Sequence, residues 1–201
     1  MKDIFRYLKG TTDLGLFYPY ESSNEATSCA PRVDSRLVGY ADAGYLSDPH
    51  KARSQTGYVF TVGGTAISWR STKQTLVATS SNHAEILALH EATRECFWLR
   101  SVVGHIRSSC DLLPAVDVPT TIFEDNAACI EQLKKGYIKG DNTKHIAPKF
   151  FFSHQQQEHH NIEVTQIRSQ DNLADLFTKS LPKVMFQKLV HGIGMRKFSE
   201  L

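Results

Sequence analysis

The sequence has little cysteine, little net charge and no long apolar run. Its four cysteines sit at positions 29, 96, 110 and 129, with no CxxC pair and no regular spacing. That argues against a disulfide framework or a zinc ribbon and suits a reducing compartment. No stretch approaches the roughly 20 consecutive apolar residues that a membrane span needs. The N-terminal "MKDIFRYLKGTTDLGLFY" reads as an amphipathic helix running into a turn and a strand, without the h-region or cleavage site of a secretory signal. A soluble, intracellular protein with no membrane partner is expected. The formal net charge is only +2, so any surface for nucleic acid must be local rather than global. What is present is a core: 41% of the 201 residues are hydrophobic and 22% charged, which suits one domain, with room for an appendage.

Hydrophobic patterning divides the chain. Residues 1–36 read as an N-terminal appendage closed by the polar linker "ESSNEATSCAPRVDS". From Leu37 three strands are predicted, over 37–43, 56–62 and 65–70, the last two joined through Gly63-Gly64 as a tight hairpin. Leu89, Ala92, Cys96, Leu99, Val103 and Ile106 recur at spacings of three and four, which predicts one long helix over about 82–106. Beyond the loop around Pro114 and Pro119, "TTIFED" (120–125) reads as a strand feeding a helix over 126–135. "APKFFFSHQQQEHH" reads as a helix leading to the strand "IEVTQI" (162–167), and "DNLADLFTKS" as the start of another helix. Residues 37–180 then form the main domain, and 181–201 a C-terminal amphipathic helix and tail opened by Pro182. Three strands, a helix and two strand–helix units describe an α/β fold: three antiparallel strands and two parallel ones in a mixed sheet, with helices on both faces.

Four acids fall where this layout ends its elements. Asp42 lies at or near the end of the first strand, and Asp125 closes the strand 120–125. Glu85 lies in the first turn of the long helix, four residues before Leu89 and so on the buried stripe. Asp175 lies early in the last helical stretch, between Leu173 and Leu176. Each has a plain alternative: Asp125 or Asn126 as a helix cap, Glu85 in a capping box with Asn82, Asp175 at the positive end of its helix, Asp42 on a turn amide. Together they are delivered to one end of the sheet. Carboxylates so gathered repel each other and pay for desolvation unless cations neutralise them, and oxygen-rich sets suit Mg²⁺ or Mn²⁺. Two such ions about 4 Å apart can drive the in-line displacement of a phosphodiester.

The stretches "LVGYADAGYLSD", "RSQTGYVFTVGGTAISWRSTKQTLVATSSNHAEILAL", "TIFEDNAACI", "NTKHI" and "DNLADLFTKSLP" occur in that order. Together they closely resemble the ribonuclease H domain of copia-type retrotransposon polyproteins. "FRYLKGTTDLGLFY" resembles the connection that follows the reverse transcriptase there. The resemblance implies a ribonuclease H-like fold with a five-stranded mixed sheet. It also implies cleavage of the RNA strand of RNA–DNA hybrids with two Mg²⁺ ions, for which Mn²⁺ may stand in. Its metal ligands and catalytic acids fall on Asp42 in "YADA", Glu85 in "HAEI", Asp125 in "FEDN" and Asp175 in "LADL", with Asp42 expected to touch both ions. It further implies the reverse transcriptase part of the same polyprotein as a partner; the expected location is the cytoplasm, with a virus-like particle or the nucleus as alternatives. Where the family commonly reads "DADWAG" this chain has "DAGYLS", and where it reads "KHIDI" this chain has "KHIAP". The alternative, from a different class, is an exapted, catalytically silent module that binds nucleic acid or a protein.

A hybrid is gripped through its phosphates and identified by its 2′-hydroxyls. "KKGYIKGDNTKHIAPK" (134–149) concentrates Lys134, Lys135, Lys139, Lys144 and Lys149 against a single acid, Asp141, as a candidate phosphate surface. Arg53 and Ser54, with Lys51, form a smaller one. Ser81 and Asn126 stand next to the acids as candidate sugar or backbone contacts, and His145 in "TKHI" as a candidate substrate contact. His154, His159 and His160 lack the cysteines and spacing of a transition-metal site, and Trp69 and Trp98 are expected in the core.

Overall fold

The computed structural model describes residues 2–19, 36–48, 50–111, 118–138 and 143–200. The expected linker (21–35, with Cys29), the loop around Pro114, Lys139 and Asp141 lie outside the described residues. Alternating apolar residues build a five-stranded sheet from β2 (Leu37–Asp48), β3 (Arg53–Val62), β4 (Thr65–Lys73), β5 (Thr120–Glu124) and β6 (Ile162–Gln166). Its order is β4-β3-β2-β5-β6. β2, β3 and β4 pair antiparallel, whereas β5 runs parallel to both β2 and β6. Gly63 and Gly64, at φ 61° and 74°, make the β3–β4 hairpin in the left-handed conformation that matches the strand twist.

Each face of the sheet is covered. On one, α2 (Ser81–Ser109), α3 (Ala127–Lys135) and α4 (Ala147–Glu158) pack over Ala41, Ala43, Tyr58, Phe60, Ile122 and Val164. On the other, a 3₁₀ turn (Leu173–Phe177) and α5 (Lys183–Gly192) pack with Leu173, Leu176 and Leu189 against Tyr40, Val59 and Ala66. At the termini, α1 (Lys2–Gly10) precedes β1 (Leu14–Leu16), which pairs antiparallel with β7 (Met195–Lys197) in a separate two-stranded sheet.

Several elements differ from expectation. β2 runs on to Asp48, so Asp42 lies inside a strand rather than at its end; what ends near it is the pairing with β5, whose last partners are Tyr40 and Phe123. The long helix starts at Ser81, one residue earlier than expected, because the Ser80 hydroxyl caps it, accepting the His83 N–H at 3.2 Å. Glu85 is therefore in the second turn, beyond reach of a capping box. β5 ends on Glu124, and Asp125 follows the strand instead of closing it. "DNLADLFTKS" forms short 3₁₀ turns and no α-helix. Trp69 and Trp98 are 54% and 58% exposed, and Ile106, at the far end of the apolar stripe, is also exposed. Cys96, Cys110 and Cys129 are free thiols.

The 3₁₀ turn is pinned by sequence. The buried Asn172 donates from Nδ2 to the Ala41 carbonyl (2.8 Å) and accepts the Ala174 N–H on Oδ1 (3.1 Å). It thereby ties the turn that carries Asp175 to the strand beside Asp42. Gly57, opposite Asp42 in the β2–β3 register, lets that turn lie flat: a Cβ there would stand 2.6 Å from Thr178 Cγ2 and 3.0 Å from the Ala174 carbonyl oxygen. Gly57→Ala is expected to destabilise the fold by about 1–3 kcal/mol, the usual cost of overpacking. A lowered urea midpoint with unchanged slope would check this.

Candidate active site

The sheet converts distant sequence positions into neighbours. Because β5 lies parallel to β2 with Phe123 opposite Tyr40, the chain leaving β5 at Glu124 and Asp125 comes alongside Ala41 and Asp42. Side chains alternate along strands. Asp42 therefore shares the face of Tyr40 and looks toward the turn with Asp175, while Glu124 shares the face of Ile122 and looks toward Glu85 on α2. Asp42 and Glu124 have no exposed surface, and Asp175 and Glu85 are 6% and 7% exposed.

Two triads of carboxylates result, Asp42–Asp125–Asp175 and Glu85–Glu124–Asp125. Within each, one oxygen per residue can be chosen so that all lie within 4.8 Å of one another. Asp125 belongs to both and joins the two faces of the sheet. The four acids singled out in the sequence are thus brought together, with Glu124 as a fifth.

The triads differ in what neutralises them. Lys179 Nζ donates to Asp42 Oδ1 at 2.9 Å and to Asp175 Oδ1 at 2.7 Å, and the Thr178 hydroxyl donates to Asp42 Oδ2. Burial pulls the Lys179 pKa down, but Asp42 and Asp175 outweigh it and the net shift is upward. Burial, only partly offset by Lys179, raises Asp175 to about 6. On the α2 side Glu124 accepts the Asn126 N–H on Oε1 (3.1 Å), while Oε2 of both Glu85 and Glu124 is buried with no hydrogen-bond partner. Burial first, then the charge of Glu124, pushes Glu85 up to about 10. Glu124 is likewise driven well above its ordinary value by burial, and Cys129 beneath it by burial and then Glu124.

The expected substrate contacts are distributed unevenly. Ser81 is exposed at the head of α2. Asn126 caps α3, its Oδ1 accepting the Ala128 and Cys129 N–H groups at 3.0 Å. His145 is exposed with Nε2 3.2 Å from the Val77 carbonyl, and its charge helps burial to lower the pKa of His83. Lys144 is exposed on the same side. Arg53 donates to the Gln74 carbonyl (3.3 Å), and the fully buried Ser54 accepts the Leu46 N–H (3.1 Å), which leaves Ser54 no surface for a substrate. Among the lysines of 134–149, Lys149 pairs with Glu91 (3.2 Å) and Lys135 with Glu131 (3.0 Å). His154 Nδ1 lies 2.9 Å from the Leu133 carbonyl, a structural contact.

Sequence reasoning missed Glu124 and Lys179. The period-two pattern Thr120, Ile122, Glu124 was the available signal for the first, and the spacing of four from Asp175 for the second.

This sheet order, with three helices on one face and acids gathered beside the central strands β2 and β5, defines a ribonuclease H-like α/β fold. It matches LC11-RNase H1, solved in complex with an RNA/DNA hybrid, at a TM-score of 0.51 over 71% of this chain and 94% of that one, with 20% identity. Homologues over nearly the whole chain are retrovirus-related Pol polyproteins of copia-type transposons. The one from transposon TNT 1-94 of Nicotiana tabacum is 31% identical over 97% of this chain, and the chain spans 13% of that polyprotein's length. A secreted RxLR effector, protein 161 of Plasmopara viticola, is 41% identical over 49% of this chain and 62% of its own length. No family model matches. Among the described residues no helix is long and apolar enough to cross a membrane.

Glu85 and Asp175 keep protons in the folded chain at pH values where the unfolded chain has lost them. Their raised pKa values therefore stabilise the fold fully at low pH. That stabilisation fades as pH rises above the ordinary carboxylate range, toward about 10 for Glu85. Thermal melts of the metal-free protein are expected to fall between about pH 5 and pH 8, by on the order of a few kcal/mol. Glu85→Gln should remove its own share of that pH dependence and leave the shares of Glu124 and Asp175.

Proposed function

We propose that this chain is a divalent-metal-dependent ribonuclease H that hydrolyses the RNA strand of RNA–DNA hybrids, as a module of retrotransposon reverse transcription. The observation that carries the reading is the convergence of Asp42, Glu85, Asp125 and Asp175 from separate elements onto one end of the sheet, with Oε2 of Glu85 buried and unpartnered among the described residues. An all-oxygen, anionic donor set fits a hard cation such as Mg²⁺ or Mn²⁺. Those four residues, Asp42 and Asp175 on one face, Glu85 on the other and Asp125 common to both sets, would hold the ions. When bound, such ions supply charge neutralisation at a phosphodiester and lower the pKa of water.

The chain's own residues set the rest. Asp42 is held in a strand and Asp175 on a turn tied to that strand, so their separation is fixed by the fold rather than by side-chain choice. Lys179 holds a positive charge against both, at 39% side-chain exposure, and can swing outward as the pair gains another cation. Lys144, His145 and Ser81, exposed near the head of α2, offer donors to a phosphate or 2′-hydroxyl, and Arg53 a smaller second contact. The hybrid in the solved LC11-RNase H1 complex and the Pol polyproteins among the relatives support this substrate class and the reverse transcriptase as a partner.

A second reading has its own observation. Lys179 already pairs with Asp42 and Asp175 without any metal, as would suit a silent module that keeps the fold and binds a partner. Cleavage of an end-labelled RNA–DNA hybrid separates the two. Product dependent on Mg²⁺ or Mn²⁺ is expected, with Asp125→Asn lowering the rate by more than about 100-fold, the upper end of what changes outside the ligand sphere cost. A well-folded protein that gives no metal-dependent product would favour the silent module.

A further inference from the structure

Beside the acids, an open cavity of about 630 Å³ has Asp48, Lys51, Gln55, Lys73 and Thr178 in its wall. The strand register ties it to the carboxylates. Asp42, Gly57 and Ser71 form one row across β2, β3 and β4, and Gly44, Gln55 and Lys73 form the next row on the same face. Two strand residues separate the rows, a step of about 7 Å. Thr178 spans that step: its hydroxyl donates to Asp42, and its carbonyl oxygen would lie 2.8 Å from a Cβ at Gly44.

The polar groups of the cavity are already oriented. The Ser71 hydroxyl donates to the Phe177 carbonyl (2.6 Å), which only accepts, so Ser71 Oγ is left to accept from Gln55 Nε2 (2.9 Å). The Gln55 amide thus turns its donor end to Ser71 and keeps Oε1 as a spare acceptor. Lys73 reaches back across β3 to Asp48 Oδ2 (2.6 Å), while Asp48 Oδ1 accepts the His50 N–H (3.2 Å). That contact uses one of the lysine's three N–H donors. Lys51 is exposed, so two ammonium groups stand against one carboxylate, next to a site that is otherwise acidic.

We propose that this cavity is the subsite for the ribonucleotide beside the scissile bond, in which Gln55 Oε1 accepts its 2′-hydroxyl and Lys73 and Lys51 hold its phosphate. The assignment rests on the hybrid-cleaving reading above and adds residues that recognise the strand being cut. A strand with a phosphodiester at Asp42 places its next nucleotide one sugar-phosphate repeat away, which is the step between the two rows. A 2′-hydroxyl brings a proton for Oε1 that a deoxyribose lacks, so an acceptor here distinguishes RNA from DNA. A phosphate brings the negative charge that the surplus ammonium group calls for.

The test is cleavage of RNA–DNA hybrids that carry a single 2′-deoxynucleotide, walked along the RNA strand past a fixed cleavage site. Wild type should lose roughly 3- to 10-fold in kcat/KM when that nucleotide occupies the subsite, the worth of one hydrogen bond. Gln55→Met, similar in length but without the acceptor, should lose about as much on the all-RNA strand and nothing further from that one substitution. Lys73→Gln should raise KM for the hybrid and flatten the slope of log KM against log salt by about one. Asp48→Asn frees Lys73 from its protein partner and should leave KM no higher than in wild type. Gln55→Met that matches wild type in its sensitivity at every position would overturn the subsite, as would Asp48→Asn that raises KM as Lys73→Gln does. Either result leaves metal-dependent cleavage standing. Wild type that gives no metal-dependent product would instead remove the hybrid-cleaving reading, and the subsite with it.

Discussion

The structure depends on holding carboxyl groups together at the end of a sheet against their own repulsion. Moving a charged group out of water costs several kcal/mol even after relaxation, and like charges nearby add to it. Asp42, Glu124, Glu85 and Asp175 are nonetheless all buried. The opposing term is packing. Phe60, Phe150, Leu89 and Ile122 are fully buried around α2 and the central strands, each contributing about 1.5–3 kcal/mol. That contribution fixes the strand and helix positions, so the acids cannot relax apart without breaking the core.

The two faces of the sheet handle the repulsion differently. On the side of the 3₁₀ turn a side-chain cation, Lys179, and a hydroxyl, Thr178, meet the acids. On the α2 side the Asn126 N–H meets Glu124, while Oε2 of Glu85 and of Glu124 is buried with no hydrogen-bond partner among the described residues. That deficit favours the protonated carboxyls, which is why both glutamates stand well above the ordinary carboxylate range.

Much of the fold was readable beforehand because periodicity reports burial. The β3–β4 hairpin announces itself in Gly63-Gly64, and the buried face of α2 in the spacing from Leu89 to Leu99. The pattern misleads where an element outgrows the core. Ile106 continues the helical stripe past the last strand that could cover it, and Trp69 and Trp98, apolar by type, stay exposed. The turn around Asp175 was read as a helix because its composition allows one. Asn172 bonded to the Ala41 carbonyl, 131 positions earlier in the chain, holds it as a 3₁₀ turn instead.

The site divides the same way. Sequence alone placed four acids near the junctions of its expected elements, although Asp42 lies within β2, Asp125 just past β5 and Asp175 in a 3₁₀ turn. It therefore singled out Asp42, Glu85, Asp125 and Asp175. Tertiary structure alone decided that Glu124 joins them, that Asp125 is the member shared by both triads, and that Lys179 rests between Asp42 and Asp175. Those facts follow from the parallel register of β2 and β5 and from which face of the sheet each helix covers. Neither is a local property, because each is set by contacts between residues far apart along the chain.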